Sequence, residues 1–240
     1  MSPINKNVIT LFCNVKKSLD ADSNFGKKKF RDYFIKALYK NSGKHIKTYM
    51  NYNCFALCFN RIYFWKNFLK NLLFFDRYYF LVKDTVLDVG CGAAPASIAI
   101  ASLVYQKQSR KLNISLIDKS EKQLFIARHF LESIPVEVKS YKVRSFMFER
   151  KPYDELVVFS YFVCEQKKEF INQLFQHRKN FRNGFVVIDY RDNIELINSY
   201  FKKNGDENIK TVFLKYSLPS VLEHCIGEKA IKVYGCYYKK

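Results

Sequence analysis

The spacing of apolar residues along this chain changes near residue 82. In the segment 27–40, apolar side chains recur three and four positions apart, the period of an amphipathic helix: Phe30, Tyr33, Phe34, Ala37 and Leu38. A second segment with this period covers residues 60–75. The pattern therefore predicts a helical N-terminal region over residues 1–82.

Beyond residue 82, short β-branched runs alternate with helical patterns at 95–106, 121–133, 168–177 and 193–202. This alternation is typical of βαβ units and predicts a mostly parallel sheet covered by helices. The predicted strands are 86–89, 113–117, 136–143, 156–161, 184–189, 211–216 and 230–238. Since no long helix separates the last two, we expect an antiparallel edge. The predicted fold class is α/β: a Rossmann-like seven-stranded sheet over residues 83–240, with an N-terminal helical extension.

The sharpest local signal is a glycine-rich turn between the first predicted strand and the helix after it. Gly90 and Gly92 follow the strand directly, with Cys91 between them and Asp88 two residues before. Glycine permits a tight turn and close approach of a ligand, and the helix that follows presents free N–H groups. Asp118 ends the next strand, where a carboxylate is placed to accept hydrogen bonds from both hydroxyls of a ribose. The alternative is a tight turn and a surface Asp in an unrelated α/β protein.

At these residues the chain resembles the class I S-adenosylmethionine-dependent methyltransferases, over about residues 83–238. The resemblance implies S-adenosylmethionine as cofactor and a seven-stranded sheet with a reversed last strand. An NAD-dependent enzyme is the competing interpretation, disfavoured because Ala94 or Pro95 replaces the third glycine of the dinucleotide pattern. The chain departs from the family at Ser145, where an Asp often contacts adenine. The implied cofactor contacts are Asp88, Gly90, Cys91, Gly92, Asp118, Lys119, Ser145 and Ser160.

The segment after the fourth predicted strand is where this family places groups that face the substrate. The stretch 153–166, which covers this strand and the residues after it, contains neither Asn-Pro-Pro-Tyr nor Pro-Cys, which disfavours adenine-N6 and cytosine-C5 methylation. Its residues 160–165 are similar to the Ser-Tyr-x-Leu-x-Glu-Leu stretch of the methyltransferase-like proteins of the mitochondrial ribosomal small subunit. Aminoglycoside-resistance-type rRNA methyltransferases also have a helical front and a similar turn. Tyr161 and Glu165 are candidates for accepting the proton of the methyl acceptor; a packed Tyr and an exposed Glu are the alternatives.

Positive charge is the main compositional signal of a partner. The formal net charge is +19, and residues 1–80 alone contain 15 basic and 4 acidic residues, a net of +11. Such charge favours a polyanion, and aromatic residues between the lysines suit unpaired bases. We therefore expect nucleic acid to bind at Lys27, Lys28, Lys29 and Arg31, and the resemblance to the small-subunit methyltransferase families implies RNA, including that of the small ribosomal subunit. A solvated helix face is the alternative.

The remaining composition limits location and cofactors. Seven cysteines without a CxxC pair indicate free thiols in a reducing compartment, the cytoplasm or an organelle. No stretch of 18 uncharged apolar residues occurs, so we expect no membrane-spanning helix. Cys54 and Cys58 stand one helical turn apart, but two further ligands at metal-site spacing are missing, so no metal is expected.

Three functions compete at this point. The first is an S-adenosylmethionine-dependent methyltransferase acting on RNA, with rRNA methylation as the expected reaction. The second is a catalytically idle protein of the same fold that binds a ribonucleoprotein and assists its assembly. The third is a methyltransferase for a peptide or small molecule, in which the positive charge is incidental.

Overall fold

The computed structural model describes residues 4–20, 53–108, 112–132, 134, 137–143, 146–149, 151–162 and 167–239. Within these residues the helices are α1 (Lys6–Asp20), α2 (Asn53–Arg77), α3 (Pro95–Gln108), α4 (Glu121–Glu132), α5 (Lys167–His177), α6 (Arg191–Lys203) and α7 (Ser220–Ile226). The strands are β1 (Thr85–Val89), β2 (Asn113–Asp118), β3 (Glu137–Val143), β4 (Leu156–Ser160), β5 (Phe185–Ile188), β6 (Ile209–Ser217) and β7 (Ala230–Tyr238).

All seven predicted strands are present, and they form one sheet in the order β3-β2-β1-β4-β5-β7-β6. Strands β1 to β5 are parallel, and β7 runs antiparallel to both β5 and β6. The predicted sheet and its antiparallel edge are thus confirmed. Strands β2 and β3 follow one another on one side of β1, whereas β4 and β5 lie on its other side, so the strand order reverses between β1 and β4. Ligands of open α/β sheets bind at such a reversal, outside the carboxyl ends of the strands, here called the carboxyl edge.

The helices confirm the sequence pattern and add two that it missed, α1 and the seven-residue helix α7. The segment predicted as a helix over 60–75 is the inner part of the longer helix α2, whereas the helix predicted over 27–40 lies outside the described residues. Helix α1 was not predicted, because its β-branched residues weaken the helical preference. Packing stabilises it: the Phe12 ring lies 5.7 Å from that of Trp65 and 5.6 Å from that of Phe68 on α2.

Two apolar layers enclose the sheet, as expected for parallel strands buried on both faces. One face packs against α5 and α6, and the other against α1, α2, α3, α4 and α7. Alternate residues of each strand point to opposite layers, as Val86 and Leu87 of β1 do. Because β1 packs against both layers, the end of this strand, where the next turn begins, is held on both faces of the sheet.

Helix α2 belongs to the apolar core of the sheet. Its Phe74 is fully buried and packs on Gly235 of β7, where a Cβ atom would stand 2.7 Å from the Phe74 ring. Helix α2 also contacts α3, which explains why that Ala- and Ile-rich helix is buried on nearly all sides. The division of the chain into domains near residue 82 remains a prediction.

Candidate cofactor and substrate site

The turn after β1 has the strained backbone that its glycines allow. Gly90 and Gly92 have φ values of +62° and +55°, and Ala94 follows with +59°. The N–H groups of Gly90 and Cys91 both donate to the carbonyl of Ile117, at 2.7 and 3.2 Å, which joins the turn to β2. These bonds bring the glycine backbone beside the acid that ends β2.

Asp118 contacts the turn directly. Its Oδ2 accepts a hydrogen bond from the Gly92 N–H at 2.8 Å, and its Oδ1 accepts one from the Ser120 N–H at 2.8 Å. Burial raises the pKa of Asp118, and these backbone bonds oppose that rise. A carboxylate has about four acceptor sites, so with backbone bonds from Gly92, Ser120 and Lys119 it retains capacity to accept a hydroxyl. Among the described residues, a Cβ added at Gly92 would meet only the Gln123 side chain, at 4.0 Å, which leaves room above the turn.

Asp88 lies beneath the turn and is fully buried. Its Oδ2 accepts bonds from the N–H and the hydroxyl of Ser97, at 3.2 and 2.6 Å, and so ties β1 to the first turns of α3. Within the described residues its Oδ1 has no partner. Burial raises the pKa of Asp88 to about 6. Its predicted contact with a cofactor remains a prediction, whereas its role in holding α3 follows from this geometry.

Two neighbours in the predicted cofactor set differ in exposure. The side chain of Cys91 is buried, and its thiol forms no disulfide. Burial raises the pKa of this thiol. Lys119 is exposed beside Asp118. The Cys91 N–H donates to the Ile117 carbonyl and its side chain lies in the core, so both groups are already engaged within the protein.

Strand β4 ends in a second strained segment. Tyr161 has a φ of +57°, and its N–H donates to the Ile188 carbonyl at 2.8 Å. Ser160 accepts a hydrogen bond at Oγ from the Asn71 amide of α2 at 3.0 Å. Next along the chain, Phe162 packs on Gly90: a Cβ atom at residue 90 would stand 2.2 Å from its ring. The glycine turn and the end of β4 are therefore in direct contact.

Lys70 of α2 is a functional candidate that the sequence analysis missed. Its Nζ lies 5.1 Å from the centre of the Tyr161 ring. Burial, together with the nearby charge of Lys66, lowers the pKa of Lys70 to about 8. The available signal was the pair Lys66 and Lys70, because like charges four residues apart destabilise a helix and are unexpected in an apolar one.

Asp189, also missed, holds the end of β5. It is almost completely buried, and its Oδ1 accepts bonds from the Tyr190 N–H at 2.7 Å and the Asn193 amide at 2.8 Å. The Tyr190 ring makes an edge-to-face contact with Tyr161, with centroids 5.6 Å apart. The negative charge of Asp189 favours the protonated form of Lys70, against the effect of burial. The ends of β4 and β5 and the middle of α2 thus form one polar cluster.

Several predicted residues lie outside the described part of the chain: Ser145, Glu165, Lys27, Lys28, Lys29 and Arg31. The structure brings together the rest of the predicted set at the ends of β1, β2 and β4. In the described ranges no group of three or more His, Cys, Asp or Glu side chains is arranged to hold a metal ion. In those same ranges, every helix is too short or too polar to cross a membrane.

Comparison with known proteins identifies the fold. No protein-family model and no curated protein matches the sequence. Among solved structures, the magnesium protoporphyrin IX methyltransferase of Synechocystis, with bound S-adenosylmethionine, is 14% identical with a TM-score of 0.53 and covers 83% of this chain and 100% of its own. A SAM-dependent methyltransferase of Leishmania major is 14% identical with a TM-score of 0.52, covering 81% and 82%. The chain therefore has the Rossmann-like, seven-stranded fold of SAM-dependent methyltransferases.

Proposed function

We propose that this protein is an S-adenosylmethionine-dependent methyltransferase that acts on RNA. The observation on which the proposal rests is the contact between the Gly92 N–H and the Asp118 carboxylate, 2.8 Å apart at the carboxyl edge. This contact holds the acid beside the glycine turn at the reversal point of the sheet, an arrangement that suits a nucleoside. The proteins of the same fold support the choice of cofactor.

The residues around the turn fit S-adenosylmethionine. Asp118 retains acceptor capacity for the ribose hydroxyls, the space over Gly92 allows close approach, and Asp88 offers an unpaired buried oxygen. Lys119 and Ser145 follow β2 and β3, the two strands beside the adenosine in this proposal. The bound cofactor would supply an electrophilic methyl group, so positioning of the acceptor provides most of the acceleration.

The polar cluster at the ends of β4 and β5 is the proposed acceptor site. An amine with a pKa of about 8 is neutral in part of the molecules near neutral pH and accepts a proton readily, so Lys70 joins Tyr161 and Glu165 as a candidate base. Asn71 fixes Ser160 through their hydrogen bond. Since α2 is anchored in the core by Phe74, it holds Lys70 rigidly over Tyr161.

The net charge of +19 supports RNA as the acceptor, with rRNA of the small subunit as the first candidate. Lys27, Lys28, Lys29 and Arg31 are its proposed phosphate contacts. The second candidate function, an idle ribonucleoprotein assembly factor, is favoured by the packing of Phe162 on Gly90, since this ring occupies space beside the turn.

Binding of the cofactor tests the proposal directly. Isothermal calorimetry with S-adenosylmethionine should show at least tenfold weaker binding for Asp118→Ala than for wild type, because bonds to a charged group worth ~1.5–3 kcal/mol are lost. Asp154→Ala is the matched control, since Asp154 is exposed and forms a surface ion pair with Arg182. Equal affinity in a folded Asp118→Ala protein would contradict the assignment.

Transfer of tritium from labelled cofactor then identifies the acceptor. RNA, protein and small-molecule fractions of one cell extract are incubated with the protein, and labelled RNA is expected. Label in another fraction would replace RNA with that acceptor. Absence of cofactor binding in the wild type would favour the assembly factor.

A further inference from the structure

The last two strands extend beyond the rest of the sheet. In β7, residues 235–238 pair with β5, whereas residues 230–234 pair only with β6 among the described strands. Because β7 runs antiparallel to β5, the half of β7 that does not pair with β5 lies past the carboxyl end of β5. Residues 213–217 and 230–234 therefore form a two-stranded ribbon that projects beyond the carboxyl edge, here called the projecting ribbon.

The two faces of the projecting ribbon differ in burial. Its inner face contains Ile231 and Val233, both fully buried, and with Leu214 it joins the core beneath α2 and α7. Its outer face contains Phe213, Lys215, Lys232 and Tyr234, and Phe213 is 59% exposed. Phe213 thus places a large aromatic side chain on the surface of the ribbon.

The outer face presents a stacked aromatic pair. Phe213 and Tyr234 lie opposite each other on β6 and β7, with ring centroids 4.9 Å apart and planes at 16°. Because the rings stack on each other, each covers one face of the other and only the outer faces remain for a ligand, with Tyr234 half-buried against the layer of α5 and α6. Aromatic side chains on exposed strands bind unpaired bases by stacking, with little dependence on sequence.

Two lysines stand directly opposite each other beside this pair. Lys215 of β6 is in register with Lys232 of β7, and both are exposed. Like charges in this position destabilise a sheet. Neither lysine forms an ion pair within the described ranges, and the outer face of the ribbon contains no acidic residue. The arrangement suits an anion that bridges both ammonium groups.

The projecting ribbon continues into the proposed acceptor site. The Asp189 N–H donates to the Tyr234 carbonyl at 3.2 Å, and the adjacent Tyr190 contacts Tyr161 at the end of β4. A chain held on the ribbon would therefore pass the ends of β5 and β4 in turn. The aromatic pair and the lysine pair lie two residues apart on both strands.

We propose that the outer face of the projecting ribbon binds single-stranded RNA, with bases on Phe213 and Tyr234 and phosphate on Lys215 and Lys232. That the bound strand is the methyl acceptor rests on the proposed function, whereas binding itself does not. A single strand is favoured over a duplex, because paired bases present no free face for stacking.

The test measures binding of a fluorescein-labelled 20-nucleotide oligo(U) RNA by anisotropy at several NaCl concentrations. Phe213→Ala should weaken binding about tenfold through lost stacking. The double variant Lys215→Gln with Lys232→Gln should weaken binding and flatten the slope of log K against log salt by about 0.7, since both lysines contact one phosphate. Lys142→Gln with Lys151→Gln is the matched control, since both are exposed and neither lies on the ribbon.

Four results would overturn the proposal: unchanged binding in the ribbon variants, equal loss in the control, tighter binding of the DNA of the same sequence, or a dimer that Phe213→Ala dissociates. Circular dichroism melting confirms that the variants fold. Calorimetry with S-adenosylmethionine separates the two proposals. RNA binding that depends on the ribbon, without cofactor binding, would support the ribbon proposal and contradict the methyltransferase proposal. Cofactor binding without RNA binding at the ribbon would support the methyltransferase and contradict the ribbon proposal.

Discussion

The Nζ of Lys70 lies 5.1 Å from the ring centre of Tyr161, over the face of the ring. The two residues come from helix α2 and from the end of strand β4, so the contact joins the N-terminal helices to the carboxyl edge. An ammonium group gains from the ring's negative face and loses hydration by burial. Burial, together with the nearby charge of Lys66, lowers the pKa of Lys70 to about 8.

This pKa predicts how methyl transfer depends on pH. If Lys70 accepts the proton, the rate should rise as pH increases through about 8, since only the neutral amine can do so. The Lys70→Arg variant keeps the positive charge, but a guanidinium stays protonated and cannot accept a proton. We therefore expect a rate ~10²–10⁴-fold lower at every pH, with cofactor affinity unchanged. Initial rates from pH 6.5 to 9.5 provide the measurement.

Lys66→Arg is the control for that experiment. Lys66 lies on the same helix and pairs with Glu228, and its charge is retained in the variant. Its rate profile should follow that of wild type. Recovery of the wild-type profile by Lys70→Arg would show that Lys70 acts through charge alone.

The buried carboxyl of Asp88 predicts a second pH effect, on stability. Its pKa is about 6 in the folded protein and 3.8 when exposed, so the folded state holds the proton more tightly. The stabilisation is complete below pH 3.8 and is lost as pH rises through 6. On lowering pH from 7 to 4, wild type should therefore gain up to about 3 kcal/mol of unfolding free energy relative to Asp88→Asn.

Urea unfolding at several pH values measures this difference. Asp154→Asn, at an exposed position, controls for general charge effects and should leave the pH dependence unchanged. Parallel stability curves for wild type and Asp88→Asn would show that Asp88 titrates normally.

The contact between Gly90 and Phe162 predicts a severe effect of one methyl group. Gly90→Ala places a Cβ 2.2 Å from the Phe162 ring at a φ of +62°, so overpacking adds to backbone strain. We expect a loss of about 2–5 kcal/mol of unfolding free energy by urea denaturation. Gly205→Ala, at φ +73° with no atom within 4 Å, should lose only about 1–2 kcal/mol.

A further comparison identifies which part of the cost comes from the ring. Gly90→Ala combined with Phe162→Ala should be less destabilised than the sum of the two single variants, because the second change removes the clash. Additive losses would mean that the ring moves away freely. They would also leave backbone strain as the whole effect of Gly90→Ala.

Local patterns predicted the strands and the turn because each is encoded within a few neighbouring residues. Gly90, Gly92 and Asp118 were found in this way, and the structure places them together. Lys70 and Asp189 were not found, since their setting depends on how α2 and β5 pack across the sheet. Helix α1 depends likewise on Phe12 meeting Trp65. The projecting ribbon depends on pairing register, which a single strand does not reveal.

The packing of Phe74 against Gly235 has a consequence for how the chain is made. Ribosomes release α2 long before β7, so Phe74 stays without its Gly235 contact while most of the sheet is synthesised. Contacts between such distant segments slow folding and expose the nascent chain to aggregation. Translation that stops before residue 230 would leave Phe74 without its partner strand, and this uncovered apolar side chain would mark the truncated chain for cellular quality control.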